Sequence, residues 1–176
     1  MKSSRKTGLP GRGKVCAGSW PKLRSTWAPH TNGVGTRSML NEKIECFLDS
    51  NVLLYAASER TNDPRRHDIA ERLVLETAFG VSGQTLAEFA NVARRKSVSA
   101  DAVVDQWLVF LGTLPFVPVD QDYVIAGLRV ARRYQLKYYD AALLAAAERL
   151  GAPIFYTEDL NHNQVYGSVR AVNPFL

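Results

Sequence analysis

Residues 141–147 read Ala-Ala-Leu-Leu-Ala-Ala-Ala, with Asp140 directly ahead of them. A helix of this composition is apolar on every side, so the rest of the chain must build a core around it. Leu143, Leu144 and Ala147 share the face that Asp140 heads, since successive helical residues turn by about 100°. An acid there must be paired, hydrogen-bonded or metal-bound, or else it is protonated. The plainer reading is a helix N-terminal aspartate favoured by the helix dipole.

The segments around this helix alternate between short apolar runs and amphipathic stretches. Strands are expected over 44–48, 79–82, 116–119 and 154–156, with a fifth over 169–172. Helices are expected over 51–57 (capped by Ser50 or Asn51), 67–77, 85–96, 100–111 (capped by Ser99), 120–134 and 138–150. Gly151 supplies the stop for the last of these. Residues 58–66 read as a polar loop, and Pro115 and Pro118 mark the 116–119 strand as an edge. Strands in alternation with helices predict an α/β protein, a short parallel sheet of four or five strands covered on both faces. Short linkers make 41–176 one domain.

The net charge of +5 is a misleading average. Residues 1–40 hold eight basic residues, no acid, six of the 12 glycines and three of the eight prolines, and read as a disordered tail. Residues 41–176 hold the other 14 basic and all 17 acidic residues, a balance of −3. The basic character thus belongs to the tail and does not make the domain a basic nucleic-acid binder. Three readings of the tail stand beside one another: an arm touching a polyanion, with Trp20 and Trp27 to stack on bases; an organellar targeting segment; and translation starting at Met39. It lacks the apolar stretch of a secretory signal. Two cysteines argue against a disulfide scaffold, and three histidines without a CxxC pair against structural zinc. No apolar run reaches the ~18 to 20 residues that span a bilayer.

In open α/β sheets, ligands bind beyond the carboxyl ends of the strands. Asp49 follows the first strand, and Glu158 and Asp159 follow the fourth after Thr157. Neighbouring strands would open these acids into one crevice. Glu88 points away from the Leu86/Phe89/Ala90/Ala93 stripe of its helix and by itself reads as a solvated glutamate. Asp49 alone reads equally well as a loop or cap residue. Together with Asp140, however, three or four carboxylates would converge with no compensating Lys or Arg in their motifs. Packed like charges repel and raise one another's pKa, and a hard divalent cation removes that penalty. Mg²⁺ takes oxygen ligands, keeps waters and binds phosphate oxygens, which suits metal-assisted phosphodiester hydrolysis.

Four segments carry a resemblance. Phe47-Leu-Asp49-Ser-Asn51-Val-Leu-Leu-Tyr55-Ala, Leu86-Ala-Glu88-Phe, Tyr139-Asp140 with the alanine-rich run to Ala147, and Tyr156-Thr157-Glu158-Asp159-Leu160-Asn161 resemble the four acidic motifs of PIN-domain ribonucleases, above all VapC-type toxins of toxin–antitoxin pairs. The resemblance covers about residues 43–175; the order and spacing of the motifs carry it, and no single motif does. It implies a three-layer α/β/α PIN-like fold and Mg²⁺- or Mn²⁺-dependent endoribonuclease activity in the cytoplasm. It also implies an RNA substrate, a cognate antitoxin and a homodimer. Carried over by residue, Asp49, Glu88 and Asp140 are the first three catalytic and metal-binding acids, and Asp159 the fourth, with Glu158 as its rival. Thr157, or Ser50 and Asn51, would orient carboxylates or waters. The basic tail has no place in the family pattern.

Arg65-Arg66, Arg94-Arg95-Lys96 and the Arg129/Arg132/Arg133/Lys137 group are candidates for phosphate contacts, each set against an ordinary solvated helix face. Tyr138 and Tyr139 read as core aromatics before base-stacking platforms, and His162 as an incidental loop histidine before a proton donor. Leu53, Leu54, Tyr55, Leu73 and Leu75 read mostly as core, with an antitoxin or dimer surface as the alternative. Two rival functions remain. A haloacid-dehalogenase-like phosphatase also has an Asp after its first strand, yet wants a second acid at position 51, which is Asn. An inactive PIN-like module that binds RNA or a partner would not need all four acids.

Overall fold

A computed structural model describes residues 43–95 and 101–176. The basic tail, Trp20, Trp27, Met39, Lys96 and the Ser99 cap lie outside the described residues. In chain order the elements are β1 (Cys46–Leu48), α1 (Ser50–Ala57), α2 (Pro64–Glu76), β2 (Phe79–Ser82), α3 (Gly83–Arg95), α4 (Asp101–Leu111), β3 (Phe116–Val117), α5 (Gln121–Tyr134), α6 (Tyr138–Arg149), β4 (Ile154–Tyr156), β5 (Val165–Tyr166) and β6 (Val169–Val172). Among the described residues no helix is long and apolar enough to cross a membrane.

The sheet runs β3-β2-β1-β4-β6-β5. The first five strands in that order are parallel, and β5 closes one edge antiparallel to β6. The expected parallel strands are all present, with β3 at the edge as its prolines require. The sixth strand was not legible, because two residues cannot display an alternating pattern. Central β1 is buried throughout, and its side chains divide between two cores. Cys46 and Leu48 join Val52, Leu53, Phe79, Phe89, Trp107 and Leu111 on the side of α1–α4. Phe47 meets Phe155, Leu143, Leu144 and Val169 on the side of α5 and α6. This alternation is the period-2 geometry of a strand, and it produces three layers.

Helix α6 is buried from Ala141 through Ala147, as its composition demands. Helix α5 can lie against it because Gly127 has no side chain: a Cβ there would stand 2.8 Å from the Cβ of Ala142. At the other end of α6, Gly151 adopts φ +72°, where L side chains are strained, and turns the chain into β4.

Several boundaries differ from expectation for local reasons. Helix α2 starts at Pro64, because Asp63 accepts a hydrogen bond from the Arg66 amide and Pro suits the first helical turn, so the polar loop is shorter than 58–66. Helix α1 starts at Ser50 with Asp49 itself as the cap, in place of Ser50 or Asn51. The β1–β4 register aligns Leu48 with Tyr156, and the Asp49 amide donates to the Tyr156 carbonyl at 3.1 Å. The carboxyl ends of β1 and β4 therefore lie side by side.

Candidate metal centre

Asp49 sits where β1 becomes α1 and is only 4% exposed. Its Oδ1 accepts from the Ser50 amide at 2.6 Å, and its Oδ2 from the Thr157 hydroxyl at 2.6 Å. Burial pushes the carboxyl up to about 7 from 3.8; the Thr157 and Ser50 hydrogen bonds resist, and the charges of Asp159 and Glu88 add to the rise. The residue is thus both the helix cap of its plainer reading and part of an acid cluster.

Glu88 is half-buried one turn into α3. Its Oε1 accepts from Gln84 Nε2 at 2.9 Å and its Oε2 from the Ser50 hydroxyl at 3.0 Å. The same hydroxyl lies 3.3 Å from Asp49 Oδ1, so one proton serves two acids. Asp140, in the first turn of α6, is half-buried and has no hydrogen-bond or ion-pair partner among the described residues. Its carboxyl is raised by burial first and then by the Asp159 and Glu88 charges, with Lys137 opposing.

The two adjacent acids after β4 diverge. Asp159 Oδ2 accepts from Asn51 Nδ2 at 3.1 Å, and the same amide nitrogen lies 3.4 Å from Asp49 Oδ2. The Asp159 amide donates to the Thr157 hydroxyl oxygen at 3.1 Å. Glu158 turns the other way, to Arg66 Nη1 at 3.3 Å and the Tyr55 hydroxyl at 3.3 Å. Asp49, Glu88, Asp140 and Asp159 are thus near enough for their charges to act on one another, whereas Glu158 turns toward Arg66 and Tyr55.

Among the described residues no Lys or Arg forms an ion pair with any of these four acids. The donors are oxygens alone, and Asn51 adds a buried Oδ1 without a hydrogen-bond partner among the described residues. Such a set fits a hard divalent cation. No three of these acids bring ligand atoms within 4.8 Å of one another, as His67, Asp68 and Glu71 of α2 do. In the α2 grouping, Asp68 is already matched by Arg60 at 2.6 Å, and His67 Nδ1 is tied to the Tyr55 carbonyl at 3.0 Å.

Gln84 is a residue that sequence reasoning missed. It is 9% exposed, and its Oε1 accepts from the Tyr123 hydroxyl of α5 at 2.9 Å. That bond turns the amide nitrogen toward Glu88 and toward the Tyr139 carbonyl at 3.2 Å. Its available signal was its place four residues before Glu88, one helical turn away. The Arg66–Glu158 pair crosses between α2 and the loop after β4 and leaves no local signal.

Of the remaining expectations, that for Tyr139 is corrected. Tyr139 is 65% exposed and is not a core aromatic, because only Tyr138 of the pair turns toward α5. His162 accepts from the Asn173 amide at 3.1 Å and holds a loop. Of the first apolar group, Leu53 is fully buried while Leu75 is 44% exposed.

The PIN domain family model matches residues 46–168. The chain belongs to the PIN domain family. Solved structures with this fold include VapC20 of Mycobacterium tuberculosis, described as a sarcin-ricin loop cleaving toxin. It is 21% identical, with a TM-score of 0.54 over 65% of this PIN chain and 90% of its own. A toxin–antitoxin complex from Klebsiella pneumoniae gives 18% identity and a TM-score of 0.55, over 74% and 98% of the two chains. DNA-bound VapBC from Salmonella typhimurium gives 20% and 0.52, over 73% and 96%. At these identities the likeness establishes the PIN fold. No curated protein sequence matches this one.

Proposed function

We propose that this PIN domain is a Mg²⁺- or Mn²⁺-dependent endoribonuclease and the toxin of a type II toxin–antitoxin pair, active as a homodimer and silenced by its antitoxin. The observation that carries the catalytic part is the set Asp49, Glu88, Asp140 and Asp159, whose charges act on one another with no Lys or Arg paired to any of them. The toxin part is supported by the folds it resembles, a sarcin-ricin loop cleaving toxin and toxin–antitoxin complexes among them.

Asp49, Asp140 and Asp159 would hold the ion, directly or through its waters, and Asn51 and Thr157 keep two of those carboxylates turned inward. A bound divalent ion lowers the pKa of a coordinated water and offsets charge developing on the phosphoryl oxygens. Glu88, with Ser50 and Gln84 each holding one of its oxygens, orients the attacking water and takes up its proton. Attack at phosphorus breaks the bond to the 3′ oxygen, which takes a proton from solvent water as it leaves, so the products carry 5′-phosphate and 3′-hydroxyl ends. Asn51 stands where a dehalogenase-like phosphatase needs a second acid, and its amide is already donating to Asp49 and Asp159.

The test is cleavage of labelled RNA by the purified, antitoxin-free protein with Mg²⁺, with Mn²⁺ and with chelator. Cleavage that needs metal and disappears in Asp49→Asn is the expected result. Cleavage persisting in chelator, or in a folded Asp49→Asn variant, contradicts the reading.

A further inference from the structure

Glu158 and Asp159 are neighbours with opposite surroundings, and the contrast has a structural cause. The Glu158 carboxylate faces two donors, Arg66 Nη1 at 3.3 Å and the Tyr55 hydroxyl at 3.3 Å. Arg66 also donates to the Tyr55 hydroxyl oxygen, so the three side chains close a ring of contacts. The guanidinium is itself held in place. It lies 5.0 Å from the Tyr55 ring centre and 5.4 Å from that of Phe175, and those two rings meet edge to face at 5.0 Å. Asp63 lies 3.6 Å from Arg66 Nε. A side chain that keeps 39% exposure is thus fixed by α1, by its own helix and by the C-terminal segment.

On the other side of the loop, Thr157 is tied to Asp49, and the Asp159 amide is tied to Thr157. Thr157 and the Asp159 amide anchor one side of the loop, and Glu158 anchors the other through Arg66 and Tyr55. With its side chain drawn outward to Arg66, that of Asp159 is presented inward to Asn51.

Resting on the metal-site reading above, we propose that Glu158 is a positioning residue: the Arg66–Tyr55–Glu158 clamp presents Asp159 to the cation and thereby sets metal affinity. It does not contact the ion. The clamp also gives the C-terminal Phe175 a role in the site, because its ring packs the guanidinium from outside.

The sign of one substitution separates this from the simpler alternatives. If Glu158 were a ligand restrained by Arg66, or if Arg66 acted only as a nearby positive charge, Arg66→Met would strengthen cation binding. The clamp requires the opposite. Mn²⁺ binding to the metal-free full chain, read from the loss of the free-ion electron paramagnetic resonance signal without RNA, measures it. Arg66→Met and Glu158→Ala are each expected to weaken Mn²⁺ by about 10-fold, the lower end of what groups around a metal ligand contribute. In the Asp159→Asn background neither is expected to weaken it further, since both act through Asp159. Tyr55→Phe keeps the ring stack, loses only the hydroxyl, and is expected to give a smaller loss; it carries the test if Arg66→Met unfolds. Unchanged or tighter binding in Arg66→Met, or in Tyr55→Phe where that variant carries the test, overturns the clamp. So does a Glu158→Ala loss that is undiminished in the Asp159→Asn background. Mn²⁺ binding unaffected by Asp49→Asn would sink the metal-site reading itself, a separable outcome.

Discussion

Two groups of acids lie within a few residues of each other in this fold and are treated in opposite ways. Around α1 and α2, Asp68 meets Arg60, and Asp63 and Glu158 meet Arg66. At the carboxyl ends of β1 and β4 and on α3, Asp49, Asp159 and Glu88 meet hydroxyls and amides, Asp140 of α6 has no such partner, and no guanidinium or ammonium forms an ion pair with any of the four among the described residues. The fold has arginines available nearby, so the second arrangement is not forced by composition. Burial first, and then the charges of neighbouring carboxylates, raise the Asp49 and Asp140 carboxyls, and both effects oppose folding with these groups ionised. The difference teaches where the fold leaves negative charge unpaired by its own Lys and Arg side chains among the described residues.

The largest expected effect comes from neutralising the uncompensated group. Asp140→Asn should reduce RNA cleavage by more than about 100-fold, beyond the 10–100-fold cost of disturbing a group that only supports a ligand. In metal-free buffer the same variant should unfold at the same temperature as the parent or higher, since it removes a repelled charge. A loss of metal-free stability would place Asp140 with the paired acids instead.

The next effect is a pH dependence. The folded-state carboxyl of Asp49 stands at about 7 against an ordinary 3.8, so the folded chain holds a proton that the unfolded chain releases in that interval. Stability without metal should therefore fall as pH rises from about 4 to about 7, by up to about 4 kcal/mol from this one group. Denaturant unfolding across that range should show the fall in the parent and a flatter profile in Asp49→Asn, with Mn²⁺ restoring stability near pH 7. Equal slopes in the two proteins would remove Asp49 from the contrast.

A smaller effect belongs to the support behind Glu88. Gln84→Leu takes the donor from Glu88 and the Gln84 acceptor from the buried Tyr123 hydroxyl. Cleavage should drop about 10-fold, and stability by about 1–3 kcal/mol. Smallest of all is Arg60→Gln in the paired group, which should leave cleavage unchanged, because Arg60 and Asp68 both face solvent. A cleavage defect in that variant would blur the distinction between the two groups.

Much of the site could be read from the chain because its acids sit at positions that secondary structure marks. Asp49 and Asp159 follow short apolar strands, and Asp140 heads a helix without a polar side. Residues whose roles depend on a partner distant in sequence could not be read in this way. Nothing near Glu158 indicates that Arg66 will meet it, and so the opposite surroundings of Glu158 and Asp159 have no signal in the sequence. Tyr139 was misjudged because its neighbour Tyr138 takes the α5-facing position and only one of two adjacent helical residues can do so. Strand β5 escaped because it exists only by pairing with β6 across a turn.

Manganese soaked into crystals of the full chain, located by its anomalous scattering, addresses the central claim most directly. The expected result is a peak bounded by Asp49, Asp140 and Asp159 that vanishes in Asp49→Asn. A peak beside His67, Asp68 and Glu71 with none at the strand ends would contradict it.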